Sequence, residues 1–248
     1  MKKHDGTPKK YFTLSFDDGI TQDKEIIRIL KKYNVHCATF FINTGMLGTN
    51  QTSIADRHNR PDVTQLRFTE EELRTGIYDG FDVEIHTLRH FSMSKGDPTA
   101  EFIKEQIVGD AENIYGITGL YPMGMAWPGG DYNEETIETV LANTHVKFAR
   151  PVSVTHGFKL PEYFMKWEPT CHIAEKNLFD LARQFVEVEA TEDMLFYVWG
   201  HGYELDFYYL YDDFEELVKM MSEAGDVVCI TNAEFYQLFK DEIPSWKE

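Results

Sequence analysis

Two adjacent carboxylates close a strongly apolar segment near the N-terminus. Residues 11–16 are apolar or β-branched except for Ser15, and Asp17, Asp18 and Gly19 follow directly. This pattern is typical of a strand covered on both faces, where two acids at the strand end need partners to offset their lost hydration. Because neighbouring side chains of a strand point to opposite sides, Asp17 and Asp18 can do different chemistry. A simple turn is the alternative interpretation of this segment alone.

Two histidines four residues apart form a second candidate group. His86 and His90 follow a predicted strand over Asp82–Ile85. In a helical turn both imidazoles would lie on one face, close enough to bind one cation, although an isolated pair at this spacing is usually a surface feature. A carboxylate from the first strand would complete an open set that suits zinc, cobalt, nickel, iron or manganese. Zinc is the default for hydrolysis because it lowers the pKa of bound water to about 7.

Further polar or glycine-rich groups follow other predicted strands. His201 stands between two glycines after the apolar segment 194–199, and Pro128-Gly129-Gly130 and Arg150 each follow a strand. A lone histidine is often a turn or core residue, but a titrating imidazole opposite a metal can act as a general acid. In a parallel barrel the carboxyl ends of all strands meet at one face, where active sites are built.

Strand-like and helix-like segments alternate along the 248 residues with no composition break that marks a linker. This alternation, about seven or eight times, predicts one α/β domain over residues 1–248 with a parallel sheet. At this length we expect a distorted, TIM-like (β/α)7–8 barrel, with a short sixth strand at 166–169. Residues 43–67 are polar and are predicted to be a loop insertion that shapes the site.

Composition excludes several classes of partner. The formal net charge of −18 and the pI near 4.9 argue against nucleic acid and against an anionic membrane surface. No apolar run approaches the ~20 residues of a membrane span, and the N-terminus has no signal-peptide pattern. We therefore expect a cytoplasmic protein, or a secreted or cell-envelope protein if a leader has been removed. Cys37, Cys171 and Cys229 are predicted to be buried, reduced thiols.

Four short motifs occur in a fixed order along nearly the whole chain. They are Ser15-Phe16-Asp17-Asp18-Gly19, His86-Thr87 followed by His90, Pro128-Gly129-Gly130, and Gly200-His201. Together they resemble the polysaccharide deacetylase family, which is carbohydrate esterase family four and carries the NodB homology domain. The resemblance implies a distorted (β/α) barrel and metal-dependent removal of acetyl groups from N-acetylated, or O-acetylated, sugars of a poly- or oligosaccharide.

The resemblance also implies a role for each motif residue. Asp17 looks like the catalytic base and His201 like the catalytic acid, with a metal-activated water as the nucleophile. The ligands of the single divalent transition metal would be Asp18, His86 and His90.

The third motif departs from the family pattern. Ala126 stands where the family has an arginine that orients the base, and Gly129 stands where it has an aromatic residue. Arg150 is the candidate replacement for that arginine, and the backbone N–H of Gly129 remains available as an oxyanion donor.

Three aromatic residues are candidates for substrate contacts. Trp199, next to His201, is a candidate wall for the acetyl methyl group. Trp127 and Tyr132 can stack on a sugar ring, although either can equally be a core residue.

Two other functions remain open at this point. The missing arginine also fits a metal-dependent hydrolase of a non-sugar amide, such as a cyclic ureide or imide, on the same barrel. A sugar-binding protein with a degraded site is the second alternative, and a stoichiometric transition metal would argue against it.

Overall fold

The strand that ends in the two carboxylates lies within a parallel sheet of strands. In the computed structural model, which describes residues 8–51, 60–96 and 98–247, the sheet has eight strands. They are β1 (Lys10–Asp17), β2 (Ala38–Ile42), β3 (Asp82–Ile85), β4 (Gly124–Ala126), β5 (Phe148–Arg150), β6 (Cys171–His172), β7 (Met194–His201) and β8 (Val227–Cys229).

Helices follow most of these strands and cover the sheet. They are α1 (Asp23–Lys32), α2 (Glu70–Arg74), α3 (Ala100–Thr118), α4 (Glu134–Asn143), α5 (Leu178–Glu187), α6 (Gly202–Tyr208), α7 (Tyr211–Glu223) and α8 (Asn232–Phe239). A threonine and a glutamate form a capping box at the start of α2, with Thr69 and Glu72, and at the start of α8, with Thr231 and Glu234. These local signals predict helix starts because a side-chain oxygen satisfies a backbone N–H that has no partner within the helix.

The order of strands across the sheet is β5-β4-β3-β2-β1-β7-β6, and every pairing is parallel. The N-terminal part of β1, from Lys10 to Phe12, also pairs with β8, where Phe12 lies opposite Cys229. The expected α/β barrel is therefore confirmed in a distorted form, which stays open between β5 and β6 within the described part of the chain. Parallel strands bring all their carboxyl ends to one face.

The segment that crosses the open side of the barrel contains no strand at 166–169, so that prediction is wrong. A short 3₁₀ turn occupies Phe164–Lys166, and Trp167 N–H then bonds to Ala149 O of β5 at 3.0 Å. Thr170 N–H bonds instead to Tyr197 O of β7 at 2.8 Å. Pro169, between them, has no N–H to donate to a ladder, so pairing begins only afterwards, at β6.

Alternation along β1 separates an apolar face from a polar one. Phe12, Leu14 and Phe16 are buried in the main core. On the opposite face, Ser15 accepts a hydrogen bond from the Tyr197 hydroxyl at 3.1 Å inside the barrel. Burying each large apolar side chain stabilises the fold by about 1.5–3 kcal/mol, so slippage of β1 by one residue, which would exchange its two faces and take these side chains out of the main core, is strongly disfavoured.

The described parts of 43–67, at 43–51 and 60–67, are less irregular than the sequence suggests. Isolated antiparallel bridges join Asn50 to Leu66 and Ile20 to Arg67, and the latter holds the end of this segment beside β1. The part of the predicted insertion at 52–59 lies outside the described residues.

Two expectations about the rest of the chain have different outcomes. Cys37 and Cys171 are buried free thiols, but Cys229 is only half-buried on the short strand β8, so its predicted burial is wrong. Among the described residues, no helix has the length and apolar character needed to cross a bilayer.

Candidate active site

The two carboxylates at the end of β1 diverge because the backbone turns sharply after Asp17. Asp18 has φ 81° and Gly19 has φ 63°, both in the left-handed region, which Asp tolerates better than most residues and Gly adopts freely. The N–H of Asp18 bonds to Phe41 O of β2 at 2.9 Å, which fixes the turn. Both side chains are buried, at 2% and 6% exposure, so each needs its own cationic partner.

Arg150, at the end of β5, supplies the partner of Asp17. Its Nη2 donates to Asp17 Oδ2, and its guanidinium lies 4.4 Å from the Trp199 ring centroid. The Nη1 group donates to Pro151 O at 3.1 Å, which fixes the plane of the guanidinium. The second oxygen of Asp17, Oδ1, is buried and accepts no hydrogen bond from the described residues. One oxygen is thus held and the other remains able to accept a proton.

Arg67 supplies the partner of Asp18. Its Nη2 donates to Asp18 Oδ1 at 2.9 Å, and its side chain is 1% exposed. Burial alone would raise the pKa of Asp18, but His201, Arg67 and the two histidines His86 and His90 outweigh it and lower that pKa. Asp18 is therefore an ionised ligand candidate.

His86 and His90 meet in a loop and not in a helical turn, so that part of the prediction is wrong. Thr87 has φ 64° and His90 has φ 55°, which no α-helix allows. Asn43 at the end of β2 holds the loop, because its Nδ2 donates to the carbonyl oxygens of His86 and Thr87. The two rings nevertheless lie 4.7 Å apart, nearly perpendicular.

The hydrogen bonds of His86 leave one ring nitrogen free for a cation. Nδ1 lies 2.9 Å from Ala126 O, which can only accept, so Nδ1 carries the proton. Nε2 is buried and has no hydrogen-bond partner in the described residues. Burial, only partly offset by Asp17, lowers the pKa of His86 to about 4, so the ring is neutral near pH 7 and keeps its lone pair.

A divalent cation fits this group. Ligand atoms of Asp18, His86 and His90 all lie within 4.8 Å of one another. Two imidazoles and one carboxylate form a donor set that divalent transition metals prefer and that leaves open positions. The free Nε2 of His86 is the observation that supports the fit, because a buried imidazole nitrogen without a partner is costly unless something binds it.

Asp110 on α3 connects the two strand ends beneath this site, and it was not among the predicted site residues. Its carboxylate accepts from Thr44 N–H at 2.8 Å and from His86 N–H at 3.1 Å, joining the ends of β2 and β3. Burial raises its pKa to about 7. No local pattern in α3 distinguishes this residue from a surface acid.

His201 ends β7 directly opposite Asp17, its register partner on β1. Its Nδ1 lies 3.4 Å from Glu204 Oε2, and the same oxygen accepts from His201 N–H at 2.8 Å. Burial alone would lower the pKa of His201, but Glu204, Asp17 and Asp18 raise it to about 9. The ring is therefore an imidazolium at neutral pH.

Glu204 and His172 were not among the predicted site residues. Glu204 Oε2 lies 2.9 Å from Nε2 of His172. Burial opposes ionisation of Glu204, but His201 and His172 hold its pKa well below the usual range. A signal for Glu204 was present, since it stands three residues after His201 as Glu72 stands after Thr69. No such signal marked His172.

The predicted substrate-contacting residues fall into two groups. Gly129 is exposed with φ 62°, and Trp199 is 8% exposed between Arg150 and the edge of the His172 ring. Trp127 is fully buried with its indole N–H bonded to Met165 O at 3.1 Å, so its predicted sugar contact is wrong. Tyr132 is half-buried and stacks on Trp127 at 5.6 Å.

Comparisons with known proteins identify the family and the fold of this chain. The family model described as polysaccharide deacetylase matches residues 4–148. A putative polysaccharide deacetylase, YxkH of Bacillus subtilis, is 24% identical over 132 residues, which are 52% of this chain and 40% of that protein. The chain thus spans well under half the length of that relative.

Two solved structures cover nearly the whole chain. The Xyl-CE4 domain of a multidomain xylanase from the hindgut metagenome of Trinervitermes trinervoides has a TM-score of 0.57 at 13% identity, covering 97% of this chain and 95% of that one. A family 4 acetyl xylan esterase from Clostridium thermocellum, in complex with a cobalt ion, has a TM-score of 0.55 at 14% identity, covering 95% and 93%. At these identities the likeness establishes the fold.

Proposed function

Because the chain belongs to the polysaccharide deacetylase family, we propose that it is a metal-dependent hydrolase that removes acetyl groups from N-acetylated, or O-acetylated, sugars of a poly- or oligosaccharide. The observation that carries the proposal is the meeting of three groups at one end of the barrel. These are a free carboxylate oxygen on Asp17, a cation-binding set beside it, and an imidazolium on the paired strand.

Asp18, His86 and His90 are the residues that would hold the divalent cation, for which zinc is our first choice. When bound, such a cation supplies Lewis acidity, which polarises an acetyl carbonyl and makes water more acidic. The chain's part is to keep His86 neutral, which burial does, and to keep Asp18 ionised, which His201 and Arg67 do despite its burial.

Asp17 acts as the general base in this proposal. Arg150 holds one of its oxygens, and Oδ1 is left to take a proton from the attacking water. Arg150 thus replaces the family arginine whose position is occupied by Ala126. It reaches Asp17 from β5, whereas Ala126 lies on β4. Asp17 Oδ2 also lies 3.9 Å from His86 Nε2, so base and cation site are adjacent.

His201 acts as the general acid. As an imidazolium it can pass a proton to the departing amine nitrogen or alkoxide oxygen as the bond to the acetyl carbon breaks. The exposed N–H of Gly129 is our candidate for a donor to the oxyanion, since this role needs no side chain. Trp199 is our candidate wall for the acetyl methyl, because its ring contacts both the Arg150 guanidinium and the His201 ring.

The presence of Arg150 at Asp17 weakens both alternative functions. Each was motivated by the missing arginine, and a buried guanidinium on the base removes that motive. A degraded sugar-binding site would also have no use for a buried Asp–Arg pair and a free imidazole nitrogen, both of which cost desolvation energy.

Acetate release by the metal-loaded chain tests the proposal. The substrates are N-acetylated chitin-type and peptidoglycan-type oligosaccharides and acetylated xylan, with a cyclic ureide and a cyclic imide as alternatives. We expect acetate release from at least one acetylated sugar. Asp17→Asn should lower kcat by about 10²–10⁴-fold, the usual contribution of a general base, with unchanged metal content.

The control variant is Asp180→Asn, which disrupts an exposed Asp–Arg pair at 3.1 Å and should leave kcat unchanged. Ring opening of a cyclic amide without acetate release would overturn the sugar assignment. Normal turnover by Asp17→Asn would overturn the assignment of the base.

A further inference from the structure

A second cluster of two histidines and a carboxylate lies beside the cation-binding set. His172 on β6, His201 on β7 and Glu204 on α6 place their polar atoms within 4.8 Å of one another. Three different functions would bring these residue types together: a second metal site, a helix cap, or a hydrogen-bonded relay. The hydrogen bonds around the cluster distinguish among them.

The protonation of His172 argues against a second metal site. The N–H of Ala174 donates to Nδ1 of His172 at 3.2 Å, so Nδ1 presents a lone pair. A neutral imidazole has one proton, which must then be on Nε2. That nitrogen lies 2.9 Å from Glu204 Oε2 and donates to it. A nitrogen that carries a proton cannot at the same time offer a lone pair to a cation.

Helix capping explains only part of the role of Glu204. Its Oε2 accepts from His201 N–H at 2.8 Å, as Glu234 Oε2 accepts from Thr231 N–H at 3.0 Å at the start of α8. Glu204 differs because the same oxygen also receives the Nε2–H of His172 and lies 3.4 Å from Nδ1 of His201. Its side chain is only 12% exposed, so these contacts are shielded from water.

We infer that His172 and Glu204 are positioning residues for His201: His172 fixes the Glu204 carboxylate, and that carboxylate faces Nδ1 of His201 and so orients the ring with Nε2 towards the substrate. The order of donors supports this direction. Ala174 fixes the proton on His172, His172 donates to Glu204, and Glu204 faces the Nδ1 of His201. The other nitrogen of His201 is then the one that is left for the leaving group.

The role of this relay rests on the proposed function, because it needs a leaving group that requires a proton. In the step itself, the proton on His201 Nε2 passes to the leaving amine nitrogen as the C–N bond breaks. The electron pair of that bond goes to the nitrogen, and the ring becomes neutral. Glu204 stays ionised throughout, and His201 regains its proton from solvent.

A test that needs no substrate measures the imidazole nitrogens by NMR in the metal-loaded full chain. We expect His172 to be the neutral Nε2–H tautomer. Besides Glu204, the carboxylates of Asp17 and Asp18 face His201 and keep part of its stabilisation. Glu204→Gln should therefore lower the pKa of His201 by about 1 or more, as loss of one adjacent opposite charge does.

The kinetic test compares leaving groups. An N-acetylated sugar needs a proton on its leaving amine, whereas 4-nitrophenyl acetate releases a phenolate that does not. For the sugar, Glu204→Gln should lower kcat about 100-fold with little change in KM, and for the aryl ester kcat should change by less than about threefold. His172→Leu should cost about tenfold on the sugar, as the loss of an outer hydrogen-bond partner does.

Two matched variants separate positioning from folding. His172→Gln keeps an N–H donor for Glu204 and should restore kcat to within about threefold of wild type. Glu234→Gln removes an equivalent capping carboxylate from α8 and should leave kcat unchanged.

The inference is overturned by an Nδ1–H tautomer of His172, by a second equivalent of bound metal, or by equal losses on both substrates. If wild type releases no acetate from any sugar while the NMR results hold, the proposed function fails and the relay stands.

Discussion

The cluster of Asp18, His86 and His90 and the cluster of Glu204, His172 and His201 each contain two imidazoles and one carboxylate with their polar atoms within 4.8 Å of one another. Their hydrogen bonds differ first at a ring nitrogen. Nδ1 of His86 faces a carbonyl oxygen, Ala126 O, while Nδ1 of His172 faces an N–H, that of Ala174. The first contact leaves Nε2 of its ring with a lone pair, and the second puts a proton there.

Under the two proposals, residue type and proximity alone do not decide between a metal site and a proton-positioning site. The backbone group that each ring faces decides, because it fixes which nitrogen carries the proton. The two carboxylates also differ in the groups that hold them. Asp18 is held by the permanently charged Arg67, whereas Glu204 is held by two imidazoles, one of which can lose its charge during turnover.

The largest expected effect distinguishes the two clusters by metal binding. Loss of a hydrogen-bond partner of a metal ligand lowers metal affinity by up to about 100-fold. His86→Leu removes a ligand itself, so we expect it to lower zinc affinity by more than that. His172→Leu removes no ligand and should retain one equivalent of zinc at wild-type affinity. Metal analysis and calorimetric titration measure both. Equal loss of metal in the two variants would show that the clusters do not differ as their hydrogen bonds indicate.

A smaller effect separates the two arginines of the adjacent carboxylates. Arg150→Met should lower kcat about 10–100-fold without changing zinc affinity, because Arg150 is paired with Asp17, whereas Asp18 is paired with Arg67. Arg67→Met should instead weaken zinc binding about tenfold, because the variant lacks the guanidinium that orients the Asp18 carboxylate and favours its ionised form. Titration with zinc and initial rates at saturating zinc distinguish them. If both variants change the same quantity, Asp17 and Asp18 do not have separate roles.

The smallest effect concerns a buried carboxylic acid next to the relay cluster. Asp23 receives a hydrogen bond from the Tyr78 hydroxyl at 2.7 Å, and burial raises its pKa from 3.8 to about 8. Between these values the unfolded chain has lost the proton that the folded chain keeps. The free energy of unfolding therefore falls as pH rises through this window, by up to about 1.4 kcal/mol per pH unit.

Asp23→Asn should remove this slope while keeping an acceptor for Tyr78. Urea unfolding between about pH 5 and pH 8, with wild type beside the variant, measures the difference in slope. Asp110, whose pKa burial raises to about 7, adds a slope of its own that is common to both proteins. Parallel curves for the two proteins would mean that Asp23 is ionised in the folded chain, as Glu204 is.

Local patterns predicted much of the fold. The apolar alternation of β1 and the capping boxes at Thr69 and Thr231 depend on residues a few positions apart, and the structure contains all three. The start of α1 has no such local signal, because its N-cap residue Gln22 makes no side-chain capping hydrogen bond. The predicted strand at 166–169 is absent because a 3₁₀ turn occupies Phe164–Lys166 and Pro169 has no N–H to donate to a strand ladder.

The site was predicted only in part. Alternating strands and helices already imply that Asp17, Asp18, His86 and His201 share one face, since parallel strands end together. The same rule does not indicate Glu204 or Asp110, because the groups that bond to their carboxylates come from other elements. It also placed Trp127 at the substrate, although the indole is enclosed by the core and bonded to Met165 O.

By itself, the amino-acid sequence determined the class of fold and the types of chemical group at the strand ends, because both follow from short-range periodicity. Only the tertiary structure decided which groups meet. Arg150 reaches Asp17 across 133 positions of the chain, and Arg67 reaches Asp18 across 49. The proton positions on His86 and His172 were decided there as well, since each depends on one backbone carbonyl or N–H that packing brings to the ring.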